Sequence, residues 1–212
     1  MRVTAIEKQR RKNRLNLFLD GRFALGLSTD VAAQVSLRVG DEVDGDRLLA
    51  LRETEARADA MSAALRLLSY RPRSETELRQ RLARRGAPPA LVDSTIERLL
   101  ELGLVDDAAF ARSWVESRER ASPRGQRLLR QELRAKGVNS DASRELVEGV
   151  DDAEAALRAS ARRAASLSGL PQAEFRRRLG DFLRRRGFDY ETIRLTVERR
   201  WRELAEGRDD GD

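Results

Sequence analysis

The sequence predicts a mainly α-helical chain built from three tandem three-helix repeats behind a small N-terminal β-containing domain. Three observations carry this. Gly86, Gly137 and Gly187 fall 51 and 50 residues apart, and each is preceded at the same offsets by a leucine pair: Leu78 and Leu82, Leu129 and Leu133, Leu179 and Leu183. Ile96, Val147 and Val197 stand ten residues beyond those glycines, again in register. An all-helical period near 50 residues implies units that bury their apolar faces against their own helices and their neighbours. Second, only 5% of the residues are aromatic against 40% hydrophobic, so the core is drawn mostly from Leu, Ala and Val, which favours helices. Third, Asp20-Gly21 lies between the apolar runs Leu15 to Leu19 and Phe23 to Leu27, and this dipeptide suits a tight hairpin turn at positive φ.

Residues 1–45 form the β-containing domain, with Val3 to Ile6 as its first strand. Between the first two strands Lys8, Arg10, Arg11, Lys12 and Arg14 place five cations within seven residues in an exposed basic loop. Asp46 to Tyr70 holds no Gly or Pro and carries Leu48, Leu51, Ala58, Leu65 and Leu68 at helical intervals, which predicts one long helix. Arg71-Pro72 ends it. Beyond this the chain is punctuated by helix starts. Ser74 with Glu77 makes a capping box, Ser122 before Pro123 makes an N-cap with a first-turn proline, and Asp106, Ser140 and Asp189 are further caps. The first helices are expected over 46–70, 107–120 and 152–167, the second over 74–85, 123–136 and 171–186, and the third over 88–102, 141–149 and 190–204. The repeats then occupy 46–105, 106–150 and 151–204, and residues 205–212 are expected to be a frayed acidic tail.

Composition excludes much chemistry. With no His and no Cys there is no imidazole or thiol catalyst and no zinc site of the usual kinds. No glycine is followed by the Lys-Ser/Thr of a phosphate loop. The acidic pairs Asp106-Asp107 and Asp151-Asp152 have the composition of a magnesium site, but both fall at helix starts, where carboxylates offset the helix dipole. A non-enzymatic protein with no cofactor and no metal is expected. No apolar run reaches the roughly 18 residues of a membrane span, and the N-terminus lacks the apolar centre of a secretory signal, so a cytoplasmic chain without membrane partners is expected.

Lys and Arg number 42 against 36 Asp and Glu, a net charge of +6. Only Lys8, Lys12 and Lys136 are lysines, leaving 39 arginines, whose forked guanidinium matches phosphate; a genomic codon bias would give the same usage. On each second helix the inward leucine pair turns the interleaved cations outward. The candidate polyanion-facing ridges are therefore Arg79, Arg84 and Arg85, then Arg127, Arg130, Arg134 and Lys136, then Arg177, Arg184, Arg185 and Arg186. Arg81, Arg176 and Arg178 flank them. From Phe175 to Arg202 ten arginines face four carboxylates. The bland alternative is a set of solvated faces with local ion pairs, which suits the first copy beside Glu75, Glu77 and Glu97 and suits the third poorly. Phe110 and Trp114, four apart, read as core; Trp201, among Arg199, Arg200 and Arg202, is ambiguous.

The phrase Arg73-Ser74-Glu75-Thr76-Glu77-Leu78, the run Gly103-Leu104-Val105-Asp106-Asp107 with Phe110-Ala111, and Ser122-Pro123-Arg124-Gly125 with Gln131-Glu132-Leu133-Arg134-Ala135-Lys136-Gly137-Val138 together resemble the RecX family of bacterial recombination regulators. The third copy, Phe182-Leu183-Arg184-Arg185-Arg186-Gly187-Phe188, is similar to that family's C-terminal repeat, and the likeness covers about residues 55–204. It implies an elongated, curved protein that lies along the groove of the RecA filament on single-stranded DNA. There it would inhibit ATP hydrolysis and strand exchange, and so modulate recombination, DNA repair and the SOS response. It implies no catalytic residues. The ridges imply weak, sequence-tolerant contact with single-stranded DNA through its phosphates. The alternative function is a free-standing, non-sequence-specific DNA- or RNA-binding protein.

Overall fold

The computed structural model describes the backbone of residues 1–10 and 13–209, and the side chains of all of these except 142 and 207–209. The contacts divide it into two compact units. The first comprises Met1–Pro72 with Leu78–Leu104, the second Arg73–Glu77 with Val105 to the C-terminus.

In the first unit β1 (Val3–Lys8), β2 (Arg14–Leu19) and β3 (Arg22–Ser28) form an antiparallel sheet in the order β1-β2-β3. Asp20 and Gly21 make the β2–β3 turn at φ 48° and 78°, as the dipeptide predicts. Alternation along β2 and β3 puts Leu17, Leu19, Leu25 and Leu27 on one buried face. A short helix that the sequence reading missed, α1 (Thr29–Gln34), follows; the Ser28 side chain caps it by accepting from the Val31 N–H, and Val31 joins the same core. The long helix, α2 (Gly45–Tyr70), is capped by Asp44. Its first half packs Leu51 against the sheet, whereas its second half turns Ala60, Ala63 and Ala64 inward and leaves Leu65 42% exposed. A 26-residue helix serving two neighbours cannot hold one straight stripe, which is why the leucine spacing alone misplaces Leu65. The second half of α3 (Glu75–Arg84) and α4 (Pro89–Glu101) complete this unit, burying Leu78, Leu82, Ile96 and Leu99.

The second unit holds α5 (Asp107–Ala121), α6 (Gln126–Ala135), α7 (Ser140–Glu148), α8 (Asp152–Ala165), α9 (Gln172–Arg185) and α10 (Tyr190–Asp209) around one continuous core. Leu129, Leu133, Phe175, Leu179, Leu183 and Phe188 are fully enclosed there. Phe110 is buried and Trp114 packs on it with ring centroids 5.8 Å apart; Trp201 packs on Phe175 at 5.2 Å. Asp106, Asp151 and Asp189 each accept from backbone N–H groups of the first helical turn. Two expected starts shift. Asn139, not Ser140, caps α7, and α6 begins at Gln126 rather than Pro123. α10 runs through residues 205–209, where a frayed tail was expected; residues 210–212 lie outside the described residues.

The later start of α6 has a specific cause. The Gly125 N–H donates to the Arg186 carbonyl at 2.9 Å, while the Arg186 guanidinium donates to Ser122 Oγ and the Pro123 carbonyl at 3.2 and 3.1 Å. Residues 122–125 thus receive the turn that ends α9 instead of forming a helix. The same device recurs 51 residues earlier in the segment Arg73–Glu77, which belongs to this unit. Ser74 Oγ donates to the Lys136 carbonyl at 2.6 Å and accepts from the Glu77 N–H at 3.2 Å, and Lys136 Nζ donates to Glu77 Oε1 at 2.7 Å. An aspartate completes each joint: Asp107 accepts from the Glu75 N–H at 2.8 Å and Asp152 from the Gln126 N–H at 2.9 Å.

The periodic glycines belong to these joints. Gly137 and Gly187 sit at φ 79° and 88°, the left-handed conformation that ends a helix. A Cβ at Gly137 would collide with the Thr76 side chain, and one at Gly187 would lie 2.7 Å from the Leu128 backbone nitrogen. Gly86 shares the conformation at φ 87° but a Cβ there would meet no described atom within 4 Å. Gly187→Ala is therefore expected to cost about 3 kcal/mol, combining left-handed strain with overpacking, and Gly86→Ala about 1 kcal/mol of strain alone. Urea unfolding of the two variants checks this; equal losses would remove the close approach as the reason for Gly187.

Burial pushes the carboxyls of Asp107 and Asp152 above their ordinary value near 3.8, against the opposing pull of the N–H groups they accept from. A carboxyl with a raised folded pKa binds its proton more tightly in the folded state, so its charge opposes folding at neutral pH. That opposition is relieved as pH falls through the raised value towards 3.8. Asp152→Asn keeps an acceptor without the charge and should match or exceed the parent in stability at pH 7, an advantage that vanishes near pH 4, whereas Asp152→Ala should lose about 1 kcal/mol. Melting curves at the two pH values decide it.

Candidate nucleic-acid interface

On α6 the buried pair Leu129 and Leu133 turns Arg127, Arg130 and Arg134 to solvent on the opposite side, at i, i+3 and i+7. On α9 Phe175, Leu179 and Leu183 are buried, leaving Arg176, Arg177, Arg178, Arg184 and Arg185 exposed. The two helices meet where Arg127 Nη2 donates to the Arg184 carbonyl at 3.3 Å. Around that point Arg127, Arg176, Arg177, Arg184 and Arg194 rim a groove of about 610 Å³ with an apolar floor of Gly180, Ile193 and Val197. Tyr190, 80% exposed, stands at its edge. Some of the rim is answered locally, since Arg184 pairs with Asp181 at 3.4 Å and Arg194 with Glu191 at 2.6 Å. These exposed pairs are weak and exchange readily for phosphate.

The other sequence-predicted cations divide. In the first unit Arg79 is half-buried and paired with Asp93, Arg85 lies 3.7 Å from Asp59, and Arg84 is exposed. That ridge is partly self-neutralised. Lys136 and Arg186 are not ridge residues at all: both are half-buried in the joints, where Lys136 pairs with Glu77 and Arg186 lies 4.6 Å above the Phe182 ring. Burial lowers the Arg186 pKa. The helix-face reading turns them outward because the closing turn, unlike the helix, folds back on its neighbour. Of the basic loop, Lys8 ends β1 and is exposed, as is Arg10, while Arg11 and Lys12 lie outside the described residues. Arg14 departs from the expectation: it opens β2, donates to the Gly26 carbonyl at 3.1 Å and pairs with buried Glu55 at 2.8 Å.

Several motif arginines are likewise structural. Glu132 of α6 accepts from Trp114 Nε1 at 2.8 Å and Arg118 at 2.9 Å and also pairs with Arg124, while Arg118 lies 4.3 Å from the Trp114 ring centroid. Burial lowers the Arg124 pKa, and the neighbouring Arg118 and Arg186 charges add to the effect. Arg200 donates to Ser160 Oγ and to the Leu157 carbonyl. Conversely, Arg120, Arg158, Arg162 and Arg163 on α5 and α8 line a second concavity of about 560 Å³ that the sequence reading did not name. The i, i+4 spacing of Arg158 and Arg162, on a first helix rather than a second one, is the signal in the sequence that marks it.

No helix among the described residues is long and apolar enough to cross a membrane. Comparison with known proteins finds four matching family domains: the regulatory protein RecX N-terminal domain over residues 1–44 and the first, second and third three-helix domains of RecX over 60–99, 106–146 and 151–197. Regulatory protein RecX of Chlorobium limicola is 38% identical over 66% of this chain and 89% of its own length. Its namesake in Lactobacillus johnsonii is 34% identical over 72% of this chain but only 56% of its own length, so the chain spans little more than half of that relative. A crystal structure of regulatory protein RecX superposes with a TM-score of 0.68 at 26% identity, covering 93% of this chain and 98% of the other. With all four domains matched in order along a chain whose joints and basic faces repeat at the same period, this protein belongs to the RecX family of regulatory proteins.

Proposed function

We propose that this chain regulates recombination by binding the RecA filament on single-stranded DNA and inhibiting its ATP hydrolysis and strand exchange. The observation that carries the reading is the arginine face shared by α6 and α9, with Arg127, Arg130, Arg134, Arg177 and Arg184 exposed on a support held rigid by the glycine joints. A filament presents the same protein surface at regular intervals with phosphates between. Repeated arginine faces on one stiff body can engage several protomers and the strand together, so individually weak contacts sum through effective concentration. Protomers bridged in this way resist the relative movements that turnover and strand exchange require. Contact with DNA alone is then weak, indifferent to sequence and steeply salt-dependent, because phosphate neutralisation releases counterions and reads no base edges. The family membership supplies the regulatory role; the partner and the inhibition are this proposal.

The test is the RecA ATPase on single-stranded DNA with this protein titrated in, and near-stoichiometric inhibition is expected. Unchanged turnover with DNA binding retained would instead assign a free-standing nucleic-acid-binding protein. Arg177→Gln/Arg184→Gln/Arg185→Gln should weaken inhibition at least tenfold while leaving helicity and melting unchanged, since all three are exposed. Leu133→Ala, at a fully buried position, should cost about 2 to 5 kcal/mol of stability and lose inhibition only through unfolding. Circular dichroism melts beside the ATPase assay separate the two.

A further inference from the structure

The concavity between the end of α5, the outer side of α8, Phe182 of α9 and Arg186 just beyond it is lined by five arginines, Arg120, Arg158, Arg162, Arg163 and Arg186, against a single carboxylate, Glu119. Arg186 is held by the joint through Ser122 and the Pro123 carbonyl, and the other four are poorly answered. Arg158 has its carboxylate partners, Glu119 and Glu154, at 3.7 and 3.8 Å, and Arg120 reaches Glu116 only at 3.9 Å. Arg162 and Arg163 are exposed and form no ion pair among the described residues. Arg158 and Arg162 stand one helical turn apart, roughly 6 Å along the axis, which sets a row of guanidinium groups along the groove. Like charges gathered in a concave surface focus their field and draw a polyanion.

The lining also indicates which polyanion. None of the large exposed hydrophobic side chains among the described residues lies in the groove, and its one aromatic, Phe182, is half-buried with the Arg186 guanidinium 4.6 Å above its ring. A protein partner needs an apolar or aromatic anchor, whereas a sugar-phosphate backbone needs only aligned cations. Ser122 and Ser166 add hydroxyl groups to the wall. The groove faces away from the α6/α9 arginines: at about 100° per residue, Phe182 lies about 140° around α9 from Arg177 and about 160° from Arg184.

We propose that the α5/α8/α9 groove is a second phosphate-binding surface, which holds the backbone of a nucleic-acid strand on the side of the second unit opposite the α6/α9 face. Its binding does not depend on filament inhibition; only the identity of what the other face holds rests on that reading. The protein can then carry two strands at once and act as a bridge between them.

The experiment uses the full chain without RecA and a short labelled oligothymidylate. Arg162→Gln/Arg163→Gln removes two exposed cations that have no ion pair, so melting should be unchanged. The slope of log affinity against log salt should fall by about 1.4, at roughly 0.7 per phosphate contact with single strands. In Arg127→Gln/Arg177→Gln/Arg184→Gln, which removes the other face, the same two substitutions should abolish the residual binding. Energy transfer between donor- and acceptor-labelled strands should appear with the parent protein, at a concentration where sedimentation shows a single copy, and be lost in either variant. An unchanged slope and affinity in the Arg162/Arg163 variant overturns the proposal, as does displacement of the oligonucleotide by poly-glutamate at lower concentration than by unlabelled oligonucleotide, which would make the groove a docking face for an acidic protein.

Discussion

Close backbone approach at two glycine turns is the constraint on which the second unit of this protein depends. The turn at Gly187 presses against Leu128 and the Gly125 backbone, and the turn at Gly137 presses against Thr76. Such contact brings the Arg186 and Lys136 carbonyls within reach of Gly125 N–H and Ser74 Oγ, so carbonyls left over at a helix end are satisfied by the next element rather than by water. The aspartates then accept from the N–H groups exposed on the other side. Each joint therefore closes the hydrogen-bonding account of two helix ends at once, and the leucine pairs beneath are held in register by it.

That arrangement decides which cations are available for function. A joint or a buried carboxylate takes an arginine or lysine out of the surface, as Glu77 takes Lys136, Glu132 takes Arg118 and Arg124, and Glu55 takes Arg14. Removing one partner of such a pair would strand the other, which makes these cations structural however basic their sequence neighbourhood. The arginines remaining outside are held by carboxylates of comparable exposure or by none. A phosphate competes with little opposition there.

Much of this was legible in the sequence. The 50-residue spacing of glycines with their leucine pairs gave the helical period, and Asp20-Gly21 gave the hairpin, because both patterns report local backbone conformation directly. The α6 and α9 arginines were legible from the same periodicity, since a helix face is fixed by spacing alone. What spacing cannot report is a contact between elements. Lys136 and Arg186 end the strongest ridges in the sequence, yet the turn that follows folds them inward. Ser122-Pro123 carries a strong helix-start signature that a docking turn overrides. The short α1 was hidden for a different reason: six residues with one buried side chain leave almost no period to detect.

The chemistry of the exposed cations also fixes how such a surface responds to its surroundings. The chain has no histidine, and its outward basic faces on α6, α8 and α9 consist of arginine. The planar guanidinium fork matches the geometry of a phosphate group, so these faces suit a phosphate backbone. Ionic strength is what changes their attraction for a polyanion, because every phosphate neutralised returns a counterion to solution. Among the carboxylates, Asp107 and Asp152 lie in the joints and Asp106 at the α5 cap, where N–H groups of Ala109 and Ala108 help hold its carboxyl below the usual value, while the bond from Arg194 at the groove rim holds the Glu191 carboxyl below its usual value. Acid acts on the joints through Asp107 and Asp152, and salt acts on the binding faces. The exposed arginines carry no buried joint contact, so salt can weaken the grip on a polyanion without loosening the fold that presents it.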